Sequence, residues 1–198
     1  GVDLMSFSAH KIYGPKGTGG LVVRRRPDGV RLAPQIFGGG QQRGLRSGTL
    51  WPAGIVGFAK ALTLCREELP AAPERLAGLR DRLLESLRAA VPDLTLCGPA
   101  LDPIGLRLPG NLMVSLAGID AESLLLSMPD LALSSGAACS AVNPEPSHVL
   151  RALGMDDAQV RGSVRFGLGR FNTEDDISLA VAMVSQAAAK LRRMGRTS

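Results

Sequence analysis

The chain has 198 residues, 45% hydrophobic and 21% charged, an ordinary balance for a globular protein with room for one large core or two small ones. Lys and Arg outnumber Asp and Glu by 23 to 18, a net charge of +5, while aromatic residues make up only 4%. A surface that stacks nucleic-acid bases is therefore disfavoured, and an acidic partner or an anionic small molecule fits the charge better.

Cys65, Cys97 and Cys139, with only His10 and His148 beside them, make no metal-ligand spacing, so no metal site is expected. Their sparse, odd number fits a reducing cytoplasm, and no apolar run reaches the length of a membrane span. The chain opens in a strand-like stretch with neither an initiator Met nor a leader, so it reads as a fragment.

Residues 2–9, VDLMSFSA, are short, apolar and without helix caps, which predicts a buried strand. A glycine turn and a second strand over 21–25 follow. Residues 37–50, FGGGQQRGLRSGTL, read as a long Gly-rich loop. The spacing of Ile55, Phe58, Leu62, Cys65 and Leu69 predicts a helix over 52–69 with Cys65 on its core stripe. Leu76, Leu79, Leu83 and Leu87 mark a second helix. Beyond Pro92, strand-like stretches at 94–98 and 111–118 precede a helix over 121–128 and a strand over 131–135. A short helix over 147–153 and a strand over 163–170 come next, and Cys97 is read as packing. Thr173 and Asp176 have capping-box spacing and open the last helix. Its core face is Ile177, Ala180, Val181, Val184, Ala188 and Leu191, with a frayed tail from Arg196. These elements predict one domain closing over 1–50, bridging helices over 51–92 and a small α+β domain over 93–198.

The densest chemical signal is SFSAHKIYGPKGTGG, where Ser8, His10 and Lys11 cluster at a strand end before a Gly-rich turn. A hydroxyl, an imidazole and backbone amides presented together suit a phosphate. A nucleotide P-loop fails here, because Lys16 is followed by Gly17 rather than Ser or Thr and the turn leads into a strand. The other pairing of a lysine with a phosphate site is pyridoxal 5′-phosphate (PLP), whose aldehyde condenses with the amine. Chemistry alone does not choose Lys11 over Lys16. Farther on, SSGAACSAV at 134–142 sets Cys139 among small residues, with Asn143–Pro146 soon after. A lone cysteine is usually a small core residue; these neighbours instead predict a flexible loop whose thiol a large molecule can reach.

Four stretches, SFSAHKIYGPKGTGGLVVRR, GGGQQRGLRSGTL, SSGAACSAVNPEPSHVLRALG and SVRFGLGRFNTEDDI, together resemble the cysteine desulfurases of the NifS/IscS-like type, PLP enzymes of the class V aminotransferase group. The resemblance implies an α/β fold, the C-terminal part of a PLP fold-type I enzyme. Residues 1–50 would end the large PLP-binding domain, 51–92 would bridge, and 93–198 would form the small domain with the catalytic cysteine loop. The family's N-terminal half, with the aspartate at the pyridine nitrogen and the histidine stacked on the ring, has no counterpart here.

By the same resemblance, Lys11 is the lysine that holds PLP covalently, Ser8 and His10 are phosphate ligands, and Thr49 reaches the phosphate of the other subunit's cofactor. A homodimer is implied. Arg165 would pair with the substrate carboxylate, as a bidentate guanidinium can, and Cys139 would accept sulfur as a persulfide. His148, Arg43 and Arg46 lie within the motifs and are read as surface residues. The implied reaction converts L-cysteine to L-alanine in the cytoplasm and passes sulfur to an iron–sulfur cluster scaffold or other acceptor proteins, with neither membrane nor nucleic acid involved. Alternatives are a selenocysteine lyase on the same machinery and a non-catalytic fragment that contacts sulfur acceptors.

Overall fold

The computed structural model describes residues 1–26, 28–101, 107–135 and 147–195. Its first strand, β1 (Leu4–Ser8), runs antiparallel to β2 (Gly19–Val23), with Phe7 opposite Gly20 and Ser8 opposite Gly19. Both strands lie within a few residues of their expected places, but β1 is not the buried strand expected: Leu4, Met5 and Phe7 are exposed. Gly19 is dictated by close approach: a Cβ there would stand 2.6 Å from the Phe7 carbonyl oxygen.

The helix α1 (Pro52–Glu68) starts on a proline, which forfeits no helical hydrogen bond at that position. Its buried stripe differs from the expected one. Gly54 and Ala61 are buried, Gly57, Phe58 and Cys65 are half-buried, and Ile55, Leu62 and Leu69 are exposed. The cause is backbone proximity. A Cβ on Gly14 would sit 3.2 Å from the Ala61 Cβ, and one on Gly57 would sit 3.1 Å from the Pro15 ring. The helix therefore seats its small residues against the 14–18 turn, and large apolar side chains would hold the two apart. Phe58 is the exception, tilted against Phe7 with ring centroids 5.6 Å apart.

The chain divides into two compact units, Gly1–Pro70 and Ala71–Ser198. Of the two helices expected to bridge over 51–92, α1 belongs to the first unit and α2 (Ala72–Ala90) to the second.

The second unit is built on an antiparallel sheet of order β3-β4-β6-β5, from β3 (Leu94–Leu96), β4 (Asn111–Leu116), β5 (Ser134–Ser135) and β6 (Ser163–Gly167). Alternation along the strands sends Leu112, Val114, Val164 and Phe166 into a core shared with Leu83 and Leu87 of α2 and Ile177 and Val184 of α6 (Glu174–Met194). Leu124 of α3 (Ala121–Leu126) joins them. A smaller cluster sets Leu150 of α4 (His148–Ala152) and Val160 of α5 (Asp157–Arg161) with Cys97 and Met113.

The last helix has the expected capping box, Thr173 with Asp176, and the expected core face: Ile177, Ala180, Val184 and Ala188 are buried, Val181 and Leu191 partly so. The strand expected over 131–135 shrinks to two residues. The expected tail from Arg196 lies outside the described residues.

Candidate functional site

Ser8 ends β1 in extended conformation, and the next four residues, Ala9–Ile12, close a 3-10 turn that stops at Tyr13 with φ 65°. Ala9 pins the turn. It is wholly buried, its N–H donates to the Thr18 carbonyl at 2.9 Å, and its carbonyl accepts the Gly14 N–H at 2.9 Å. His10 and Lys11 follow directly and are exposed. An imidazole and a primary amine thus project from a backbone held at both ends, the rigid seat that a binding group needs. Lys16 is also exposed, but it lies beyond the pinned turn. As a donor set, the amine of Lys11 fits an aldehyde, and the Ser8 hydroxyl and His10 imidazole fit a phosphate. Those are the aldehyde and phosphate groups by which PLP could be held.

Thr49 is exposed at the end of the glycine-rich loop, two residues after Ser47, which is only 3% exposed. Ile36 and Arg46 form a parallel bridge that closes this loop, and the Ser47 N–H donates to the Ile36 carbonyl at 3.1 Å. The expected Gly-rich loop contains built structure, including a short 3-10 turn at Gln42–Gly44.

Arg165 lies in the second unit. Within β6 its neighbours Val164 and Phe166 are buried in the core at 0% and 2% exposure, so alternation puts Arg165 on the opposite face, where it is exposed. Its register partners are Met113 of β4 and Ser134 of β5. Cys139 follows Ser135 by four positions in sequence and lies outside the described residues. Ser8, His10 and Lys11 therefore share one turn of the first unit, Thr49 has its own loop there, and Arg165 stands on a sheet face of the second.

Several organising residues escaped the sequence reading. Arg75, near the start of α2, donates from its guanidinium to the carbonyls of Asn172 (2.9 Å), Gly169 (3.1 Å) and Arg170 (3.1 Å), gripping the turn between β6 and α6. No local pattern announces it, since the contact spans nearly a hundred residues. The helix α5 did carry a signal: Asp156 and Gln159 have capping-box spacing and form that box. Cys97 is buried, and burial pushes its thiol up to about 11 against an opposing pull from the Arg107 guanidinium. That suits packing, as expected from its strand position. Among the described residues no group of three or more His, Cys, Asp or Glu could hold a metal, and no helix is long and apolar enough to cross a membrane.

A family model described as Aminotransferase class-V matches residues 1–179. The chain belongs to that family. Over 193 residues, 98% of its length, it is 50% identical to the cysteine desulfurase IscS of Anaeromyxobacter sp. (strain Fw109-5), covering 46% of that protein. It is 49% identical over 193 residues to a probable mitochondrial cysteine desulfurase of Schizosaccharomyces pombe, covering 37% of it. Among solved structures, a NifS-like protein matches with a TM-score of 0.77 at 35% identity, covering 95% of this chain and 46% of that one. The NifS/IscS-like resemblance and the fold-type I α/β class therefore hold for this class V member. The chain spans about half the length of the curated bacterial relative.

Proposed function

We propose that this chain carries the lysine, the substrate-binding arginine and the sulfur-accepting cysteine of a PLP-dependent cysteine desulfurase. The observation that carries the reading is the 50% identity over 193 residues to a protein named as a cysteine desulfurase. The pinned turn that presents Lys11 supports it.

In this reading Lys11 binds the aldehyde of PLP, and Ser8 and His10 hold its phosphate together with Thr49 from a second copy of the protein. When bound, PLP supplies an electron sink for negative charge on the substrate carbons. Arg165 would bind the L-cysteine carboxylate through its guanidinium fork, and the Lys11 amine would move a proton at the substrate Cα. The thiolate of Cys139 attacks the substrate sulfur. A sulfur–sulfur bond forms, the substrate Cβ–S bond breaks, and the electron pair left on carbon takes up a proton to complete L-alanine. The outer sulfur of the Cys139 persulfide then passes to an iron–sulfur scaffold or another acceptor in the cytoplasm, and the Cys139 thiolate is regenerated. No second reading has an observation of its own; selenocysteine lyase activity is an outcome of the same assay.

The test uses the protein expressed from its complete reading frame, purified with PLP and supplied with L-cysteine or L-selenocysteine. Alanine formed from cysteine with stoichiometric sulfide in the presence of a thiol reductant supports the proposal. Turnover of selenocysteine alone assigns the lyase, and turnover of neither rejects both.

A further inference from the structure

Three consecutive glycines lead into the loop that ends at Thr49, and each answers a different constraint. A Cβ on Gly38 would press on the Ser47 Cβ at 3.2 Å, and a Cβ on Gly39 would meet the Gln41 amide at 3.0 Å. Gly40 takes φ +75°, a conformation costly for other residues. The side chains of Ser47 and Gln41 are thus folded back over a strip of bare backbone.

Each side chain closes the loop with a hydrogen bond. Ser47 Oγ accepts the Gly40 N–H at 3.3 Å, and Gln41 Oε1 accepts the Gly48 N–H at 3.0 Å. Inside the closed loop Gln42 and Arg43 both sit in the left-handed region, at φ 50° and 61°. Two adjacent non-glycine residues in that region persist only where surrounding bonds hold them, and such strain gathers at functional sites. The second of these bonds lands on Gly48, whose peptide leads directly into Thr49.

Resting on the reading of Thr49 as a phosphate-holding residue, we infer that Gln41 and Ser47 are positioning residues for it: their side chains latch the Gly38–Gly48 loop in a strained form that aims the Thr49 hydroxyl. Because a backbone N–H can only donate, Gln41 must offer its amide oxygen to Gly48. Glutamate keeps that acceptor and leucine lacks it.

The experiment titrates apoprotein, expressed from the complete reading frame, with PLP and separately with pyridoxal, which lacks the phosphate. Gln41→Leu should weaken PLP binding roughly tenfold, the scale of one or two lost hydrogen bonds, and leave pyridoxal binding unchanged. Gln41→Glu, which keeps the acceptor but adds a charge, should bind pyridoxal as the parent does. In high salt, where the added charge is screened, it should lose less PLP affinity than Gln41→Leu. Gln41→Leu added to Thr49→Ala should weaken PLP no further. If Gln41→Leu does not fold, Gly39→Ala, which only pushes the amide aside, carries the same expectations. Equal losses for PLP and pyridoxal would mean that the latch serves folding alone and would overturn the inference. So would parental PLP binding in Gln41→Leu beside a weakened Thr49→Ala, with the reading of Thr49 left standing. Parental PLP binding in Thr49→Ala would reject that reading and the latch's role with it.

Discussion

Ser134 stands directly opposite Arg165 across the β5–β6 pair, so the two side chains share the sheet face turned away from the core. Arg165 is free of the core, and the scaffold should tolerate its loss. Arg165→Ala is expected to change stability by no more than about 0.5 kcal/mol, as for most exposed positions, while weakening L-cysteine binding severely. Arg165→Lys should rescue little, because an ammonium cannot reproduce a bidentate grip on a carboxylate.

The Ser134 register offers an independent handle on the same arginine. Ser134→Glu places a carboxylate across the strands from Arg165, where, on the role proposed for Arg165, it competes with the substrate's own. The Michaelis constant for L-cysteine should rise several-fold, cofactor content should not change, and added salt should reduce the effect. A parental Michaelis constant in Ser134→Glu would separate Arg165 from the substrate carboxylate.

The turn that presents Lys11 depends on Gly14 as an absence of side chain. A Cβ there would meet both the Ala9 Cβ and the Ala9 carbonyl oxygen at 3.0 Å and the Ala61 Cβ at 3.2 Å. Gly14→Ala should destabilise the protein by about 1–3 kcal/mol through overpacking and loosen PLP, since Ala9 is the pin of the turn. Ala61→Gly added to Gly14→Ala relieves only the helix contact, so thermal unfolding should recover in part while PLP retention does not. Recovery of both together would place the strain at the helix rather than at Ala9.

What the sequence made legible follows from how locally each feature is encoded. The helix α6 was readable because its cap, Thr173 and Asp176, and its apolar face repeat within a few turns of chain. The stripe of α1 was misread because its contact face is made of Gly54, Gly57 and Ala61, and patterns built on large apolar residues pass over small ones. The cluster at Ser8, His10 and Lys11 was visible as adjacent chemistry. The bonds from Gln41 and Ser47 were not, because which side chain folds back on a glycine run is decided by backbone conformation.

Cys97 and Arg107 give a pH-dependent expectation. Burial raises the folded thiol to about 11, above the ~8.5 of an unfolded cysteine. Folding therefore favours the protonated form. This contribution is complete below the unfolded value and is lost as pH rises through that window towards the folded one. Near neutral pH the folded thiol is held protonated by burial, so Cys97 should resist alkylation in the folded protein and react fast once it is denatured. Fast modification of Cys97 under native conditions would contradict its burial.

The roles proposed for Lys11 and Cys139 are separable by the step each stops. In protein from the complete reading frame, Lys11→Ala should lose the visible absorbance of amine-bound cofactor, because no other amine is matched to the aldehyde. Cys139→Ser should keep that absorbance and still respond spectrally to L-cysteine, since in the proposed reading Cys139 takes no part in binding the cofactor or the substrate. It should then stall, because a hydroxyl is a far poorer nucleophile towards sulfur than a thiolate. Mass spectrometry of non-reduced protein after a short pulse of isotopically labelled L-cysteine reads the outcome directly. The parent, Cys65→Ala and Cys97→Ala should each carry one extra sulfur on the peptide containing Cys139, and Cys139→Ser should carry none. Burial already argues against Cys97, whose raised thiol pKa leaves little thiolate to attack anything. Cys65 is half-buried on α1 and is the rival that matters. Extra sulfur on Cys65 with Cys139 unmodified would move the acceptor to the first unit and reject the assignment.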